Sequence, residues 1–476
     1  MRFPFTALPL LALAACTSGP DYRGPEAARP ATPGAQFARA SGDSGAQAPA
    51  AAAWWTTLGD PVLDTLETRA LAANPGVAAA EARMRQARAS LRSERANALP
   101  STNASALYVH ATVPGLDLND SGDSDQSGGG SESLNFYNLG FDASWEADLW
   151  GGKRRGVEAA RAQLDAAQAD VADAQVSLTA EIAQAYVHLR DRQQRIALAR
   201  DALARQREML RLTEQRHAQG TASALEVERQ RHLAEQADAA LPPLAAERDG
   251  YLNALATLAG EAPGALDGML AAPSAAIVPL PPAQVAVGDP AELLKRRPDV
   301  RAAERRFAAA TAKIGVAEAA RFPSLSFMGL IGIGGTSPGD LVDFDKLAAI
   351  AMPRLSWSFL DFGRNAARVG QAEGARDEAA AHYRQAVLDA LRDSEDALSR
   401  FGNGRLSVAS AARSKASADR TAALTRQRFE AGAATRIQLL DAERQSLSAA
   451  QSLSQATAAM TADYIALQKA LGLGWR

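Results

Sequence analysis

Few residues of this 476-residue chain have a type and spacing that suits chemistry. The histidines are His110, His188, His217, His232 and His382, and they form neither His-Glu-x-x-His nor another metal spacing. Gly332-Ile333-Gly334-Gly335 lacks the dinucleotide fingerprint, and no Gly-x-x-x-x-Gly-Lys phosphate loop occurs. Asp117-Leu118-Asn119-Asp120-Ser121-Gly122 opens like a calcium loop, but Gly128 stands where a bidentate Glu is needed. It reads as a solvated loop. No catalytic constellation emerges, so the expectation is no enzyme, no cofactor and no metal. The remaining reactive group is the single cysteine, Cys16, which excludes a disulfide scaffold. It directly follows Leu13-Ala14-Ala15, a setting for covalent modification of its thiol.

The elements around Cys16 say what that modification is. Residues 2–15 carry Arg2, an apolar stretch and small residues, the make-up of a secretory signal too short to span a bilayer. Leu13-Ala14-Ala15-Cys16 is similar to the lipobox of bacterial lipoproteins, in which cleavage leaves the cysteine as a lipidated first residue. Thr17, rather than Asp, follows it, which resembles an outer-membrane address. Residues 16–53 are rich in Pro, Ala, Gly and Ser and read as a lipid-anchored tether. Ordered structure is expected from Trp54-Trp55, with a helix start at Asp60-Pro61. Formal charge is −3, from 51 basic and 54 acidic residues, so there is no basic surplus for nucleic acid. Aromatics are 5% of the chain. Abundant Ala, Gln, Arg, Glu and Leu point to long helices. Beyond the signal no run approaches 18 apolar residues, which argues against a transmembrane helix.

The body of the chain repeats itself. Pro75/Pro298, Val77/Val300, Glu81/Glu304 and Pro100/Pro323 share an offset of 223. Ser144/Ser356, Trp145/Trp357, Gly151/Gly363, Arg216/Arg428, Gly220/Gly432, Leu255/Leu467 and Gly260/Gly472 share an offset of 212. The first copy therefore carries 11 extra residues between Pro100 and Trp145, where the flexible segment Asp117–Ser133 lies. The expected repeats are 54–260 and 298–472, joined by 261–297, with 473–476 as a tail.

Each repeat opens with a helical segment, 76–98 or 299–321, stopped by Pro100 or Pro323. The period then changes to two. In Tyr137–Leu149 the odd positions are apolar or small, and the even positions are polar or Gly. Leu107, Val109, Ala111 and Val113 alternate with Tyr108, His110 and Thr112. Leu325, Phe327, Ile331 and Ile333 share a parity, as do Leu355, Trp357 and Phe359. Strands are expected at about 101–113, 135–149, 324–334 and 349–361, each near the ~10 residues that cross a bilayer at a tilt. Tyr137, Trp145, Trp150 and Trp357 are candidates for an interfacial aromatic girdle. Four strands cannot close a membrane barrel, which needs about eight, so several chains must share one. Long helices follow, 157–219 and 365–431. Ile182, Leu189, Ile196, Leu203 and Leu210 recur in sevens, a coiled-coil spacing. Gly220 and Gly432 end these helices, with Thr221 or Ser223 as a cap for the next. Pro242-Pro243 should break the first return helix, and Gly402-Asn403-Gly404 should kink or break the second long one.

This plan, the lipobox, and the paired turns Arg216-His217-Ala218-Gln219-Gly220-Thr221 and Arg428-Phe429-Glu430-Ala431-Gly432-Ala433 resemble the TolC-like outer-membrane factors, in their NodT-like lipoprotein branch. The resemblance covers about residues 54–472. It implies a mainly α fold with a membrane β-barrel: a homotrimer sharing twelve strands, continued by an α-helical barrel across the periplasm. It implies an efflux outer-membrane lipoprotein, acylated with palmitate at Cys16. The tip turns, with Gly220, Thr221, Ser223, Gly432, Ala433 and Thr435, would meet a periplasmic adaptor that joins an inner-membrane pump of the RND type. Leu439-Leu440-Asp441-Ala442-Glu443-Arg444 looks like the family segment after the second tip, which makes Asp441 and Arg444 candidates for a periplasmic gate. Gln438 stands at a common acidic position of the family. The alternatives are an outer-membrane duct for type I protein secretion and a periplasmic coiled-coil adaptor lipoprotein that never spans the membrane.

Overall fold

The computed structural model describes residues 17–24, 36–39, 44–45, 52–114, 131–271 and 277–475. The 1–15 signal, Cys16, most of the tether and residues 117–130 of the loop lie outside the described residues.

The helices are α1 (Pro61–Ala73), α2 (Pro75–Ala96), α3 (Gly152–Ala218), α4 (Ala224–Ala239), α5 (Leu241–Leu258), α6 (Asp267–Leu270), α7 (Pro290–Arg296), α8 (Pro298–Ala319), α9 (Arg364–Glu430) and α10 (Arg436–Ala470). The strands are β1 (Ser44–Gly45), β2 (Ser101–Pro114), β3 (Ser131–Ala147), β4 (Val285–Ala286), β5 (Ser324–Gly335) and β6 (Leu347–Ser356). Helices α2 and α8 are both 22 residues long, and α3 and α9 are both 67. Pro242 and Pro243 fall in the first turn of α5, where their missing N–H groups cost nothing, and the break comes just before them at Ala240.

The repeats are not the compact units. One unit takes in 17–24, 85–165 and 304–381, and the other takes in the described parts of 25–84, 166–303 and 382–476. Each is built from both repeats. The reason is visible in the first unit, where β2–β3–β5–β6 form one antiparallel sheet and the central pairing, β3 with β5, joins the two repeats. An isolated two-stranded hairpin is at best marginally stable, and joining the two gives a four-stranded sheet.

The second unit holds the main core. Leu63 and Leu66 of α1, Ile182, Tyr186 and Leu189 of α3, Leu255 of α5 and Ile465 of α10 are fully buried there. Trp54 packs edge-on to Trp55 and Tyr464, with centroids 6.1 and 6.2 Å apart. Short parallel β1 and β4 pair in this unit.

Three expectations need correction. The second long helix does not break: α9 passes through Gly402-Asn403-Gly404. A Cβ on Gly404 would stand 3.2 Å from Asp463 Oδ2 and 3.4 Å from Met460 Cα on α10, so this glycine serves close helix packing. The last strand ends at Ser356, not 361, because its partner begins at Ser324, directly opposite, just after Pro323. The buried stripe of α3 runs through Leu203 and then Gln206, Met209 and Thr213, leaving Leu210 half-buried.

Candidate channel sheet and helical tips

Register sorts the four strands onto two faces. Leu139 pairs with Ile333, Phe141 with Ile331 and Trp145 with Phe327, and these continue to Leu347, Ala349 and Pro353 of β6 and to Ala106 and Ala104 of β2. One face is thus apolar across all four strands, and Leu139, Phe141, Phe327, Ile331, Leu347 and Leu355 are exposed on it. The opposite face is mixed: polar Ser101, Asn103, Asp142, Ser144, Glu146 and Arg354 share it with exposed Met328, Leu330, Ile350 and Met352. There Asn103 donates to Asp142 at 3.1 Å, and the Ser101 and Ser144 hydroxyls lie 2.8 Å apart. The apolar series of β2, Leu107 and Val109, falls on this second face, opposite Asn138 and Phe136. The first hairpin's two apolar series therefore do not share a side. The apolar side of β2 is made instead by Ala104, Ala106 and Tyr108.

The girdle candidates divide by height. Tyr137 lies against Tyr108, centroids 4.8 Å apart, toward the loop end of the hairpin. Trp145 lies eight residues away on the same face, about 27 Å along an extended strand, comparable to the apolar band of a membrane barrel. At this helix end Trp145 donates to Ala98 O at 3.0 Å, Trp357 to Arg321 O at 3.1 Å and Trp150 to Pro323 O at 2.7 Å. Their ring N–H groups tie the sheet to its helix ends.

In the second unit the two tip turns are copies. Thr221 N–H reaches Arg216 O and Ala433 N–H reaches Arg428 O, at 2.8 and 2.7 Å. Gly220 N–H meets His217 O and Gly432 N–H meets Phe429 O, at 2.8 and 2.9 Å. This double bond pattern is the Schellman motif, and it needs the left-handed backbone that Gly220 and Gly432 hold at φ 75 and 72°. Ser223, rather than Thr221, caps α4 in a capping box with Glu226, while Thr435 caps α10 in the same way with Gln438. Gln438 is thus held by the cap, its Oε1 accepting from Thr435 N–H at 2.8 Å.

Asp441 and Arg444 pair with each other on α10 at 2.8 Å, and Gln445 also donates to Asp441 at 2.8 Å. Arg444 lines a cavity of about 280 Å³ with Gln206, Gln236, Ser448 and Gln451. Neighbouring Glu443 makes the cross-helix contacts instead. It is largely buried and takes Arg205 of α3 at 3.0 Å and Arg426 of α9 at 2.8 Å. Sequence reasoning missed it, although it lies in the same motif, because a helix face cannot be oriented from one motif.

Among the described residues no three His, Cys, Asp or Glu side chains gather as a metal site, and no helix is long and apolar enough to cross a membrane. The family model "Outer membrane efflux protein" matches residues 66–261 and 290–473. The chain belongs to this family. It is 32% identical to the pyoverdine export outer membrane protein OpmQ of Pseudomonas aeruginosa, over 89% of this chain and 87% of that one. It is 31% identical to nodulation protein T of Rhizobium leguminosarum bv. trifolii, over 100% and 98%. The solved outer-membrane channel OprN superposes with a TM-score of 0.85 at 34% identity, covering 97% of this chain and all of that one. This outer membrane efflux protein therefore has the TolC-like fold, and it acts as the outer-membrane channel component of an efflux pump. Its family is one of channels rather than enzymes.

Two further features of the efflux protein were not legible in its sequence. Arg155, at the start of α3, donates to Ser18 O and Gly19 O, both at 3.1 Å, and to Asp21 at 2.6 Å and Glu158 at 2.8 Å. It fastens the segment that follows Cys16. Glu67 of α1 is fully buried, with neither oxygen hydrogen-bonded among the described residues. Burial, and secondarily Asp64, pushes its carboxyl well above the usual range.

Proposed function

We propose that three copies of this efflux protein share one twelve-stranded barrel, and that their helices form a passive duct across the periplasm. The carrying observation is the sheet itself: it has one continuous apolar face and two edges, β2 and β6, with no further strand partner among the described residues. Four strands cannot close, and an open edge in lipid leaves backbone groups unsatisfied at several kcal/mol each. The apolar face meets lipid, with Tyr137 at one interface and Trp145, Trp150 and Trp357 at the other. The opposite, mixed face, with Asn103, Asp142, Glu146 and Arg354, lines the lumen.

Cys16 carries the lipid anchor. Gly220, Thr221, Ser223, Gly432, Ala433 and Thr435 form the tips that receive a periplasmic adaptor, which couples the duct to an inner-membrane pump of the RND type. Asp441 and Arg444 belong to the gate above the tips. The names of the relatives support export of small molecules, since they include a pyoverdine exporter and a toluene efflux pump channel. Selection then lies in the pump, because a wide, wet lumen discriminates little.

The test is reconstitution in a Gram-negative host deleted for its own efflux channels. Co-expression with an adaptor and an RND-type inner-membrane pump should lower accumulation of a fluorescent pump substrate several-fold. Unchanged accumulation, with the protein present in the outer membrane, would overturn the proposal.

A further inference from the structure

The loop that joins β5 to β6 is short and braced from within. It holds two short turns of helix, Pro338–Val342 and Phe344–Lys346. Buried Asp340 ties its two ends together. The carboxylate accepts the Ser337 N–H at 2.9 Å on one side and pairs with the Lys346 ammonium on the other. Asp343 accepts the Asp345 N–H at 3.1 Å and so starts the second turn.

Gly335 shows on which side of the sheet this brace sits. It pairs with Tyr137, two residues beyond the Leu139–Ile333 pair, so a side chain there would stand on the apolar face. An added Cβ would come 2.6 Å from Asp340 Cγ. Asp340 therefore lies over the end of β5 on the apolar face, and both ends of the loop are fastened there. At the same end of that face the side chains turn polar. Tyr108 donates to Asn135 Oδ1 at 3.0 Å, and His110 Nδ1 lies 2.8 Å from the same oxygen. This change from Leu139 and Phe141 to Tyr108, His110 and Asn135 marks the level at which lipid tails give way to headgroups.

The braced loop carries bare apolar side chains beside that level. Val342 is 79% exposed and Phe344 is 80% exposed. Leu347, three residues after Phe344, opens β6 on the apolar face opposite Ile333 and is exposed too. A hairpin loop that met only water would gain nothing from them, and a cluster of exposed apolar side chains marks a contact.

We infer that this loop is a foot on the outer leaflet of the membrane, with Val342 and Phe344 entering the boundary between headgroups and tails. Lipid is the occupant because the patch continues the apolar face through Leu347, and because the brace sits on that face and not on the lumen side. The inference rests on the shared-barrel reading, which puts that face in lipid. The foot fixes the depth of each copy at its outer end, as the Cys16 anchor does at the other.

Nitroxide labels test this. Cys16 is spent on its acyl chain, so Val342→Cys, Phe344→Cys, Leu347→Cys and Ser105→Cys each supply one free thiol, and the unsubstituted protein controls for stray labelling. Ser105 stands on the lumen face, opposite Gly140. The full-length protein is reconstituted into phosphatidylcholine vesicles containing lipopolysaccharide. Collisions of each label with dissolved oxygen are compared with collisions with a water-soluble nickel chelate. Val342, Phe344 and Leu347 labels should favour oxygen several-fold more than the Ser105 label does. A Phe344 label as open to nickel as Ser105, with Leu347 still in lipid, would overturn the foot and leave the shared barrel standing. Spin–spin broadening at Phe344, the sign of copies meeting there, would overturn the foot as well. A nickel-accessible Leu347 would overturn both readings. Gly335→Ala must displace Asp340, so in that background the Phe344 label should gain mobility and lose its preference for oxygen. An unmoved label would count against the brace.

Discussion

Gly432 and Gly472 hold nearly the same backbone, at φ 72 and 69°, yet one substitution should separate them. At Gly432 an added Cβ meets nothing within 4 Å among the described residues. Its cost is the left-handed backbone alone, about 1–2 kcal/mol. At Gly472 the Cβ would stand 2.9 Å from Cγ and 3.0 Å from Cα of Arg297. Arg297 has no room to yield. Its guanidinium donates to Ala470 O at 3.1 Å and to both oxygens of Asp299, at 3.0 and 2.7 Å. Overpacking then adds about 1–3 kcal/mol, for a total of about 2–5 kcal/mol. Gly432→Ala should lower the midpoint of helix melting, followed by circular dichroism at 222 nm in detergent, by a few degrees. Gly472→Ala should lower it about twice as far or more. Gly432→Asn should recover part of the smaller loss, because Asn tolerates the left-handed region. Equal losses, or a larger loss at Gly432, would refute the claim that the surroundings and not the backbone angle set the difference.

Three other outcomes are expected. Neutral Glu67 is favoured in the fold and ionises in the unfolded chain above pH ~4.3, so its contribution is full below that pH and declines as pH rises through the raised folded value. Glu67→Gln should therefore raise the melting temperature more at pH 8 than at pH 4.5, and the opposite slope would contradict a buried neutral carboxyl. Asp441→Ala should increase channel conductance or uptake of large antibiotics. An unaltered channel in the Asp441→Ala, Arg444→Ala double variant would remove this pair from the gate. Arg155→Ala should release the segment after Cys16, seen as faster hydrogen exchange at Ser18, whose N–H is held by Trp150 O at 2.9 Å. Unchanged exchange would mean that the segment is held by its other contacts.

What could be read from the chain depended on whether the signal was local. Gly220 and Gly432 announced their turns because a Schellman motif demands a left-handed residue and a cap soon after. The duplication was legible because two constant offsets ran through it, and the matching hairpin registers carry the same offsets. Strand register was not legible. Leu107 and Val109 alternate as cleanly as Leu139 and Phe141, and only the pairing shows that they face opposite ways. Gly404 misled because a glycine in a helix reads as a weakness, whereas its neighbours Met460 and Asp463 come from 56 and 59 residues further along the chain. Glu443 was passed over for Asp441 and Arg444, since an i,i+3 pair is visible in one helix and a bridge to Arg205 and Arg426 is not. The compact units crossed the repeats for the same reason: pairing between β3 and β5 is a long-range event.

The central claim is that separate chains, each with four strands, make one pore. Single-channel recording of the purified protein in planar bilayers tests it most directly. The account predicts discrete conductance steps from a preparation that migrates as a heat-sensitive trimer, lost together with the trimer on boiling. A monomer that inserts no steps at any concentration would contradict it.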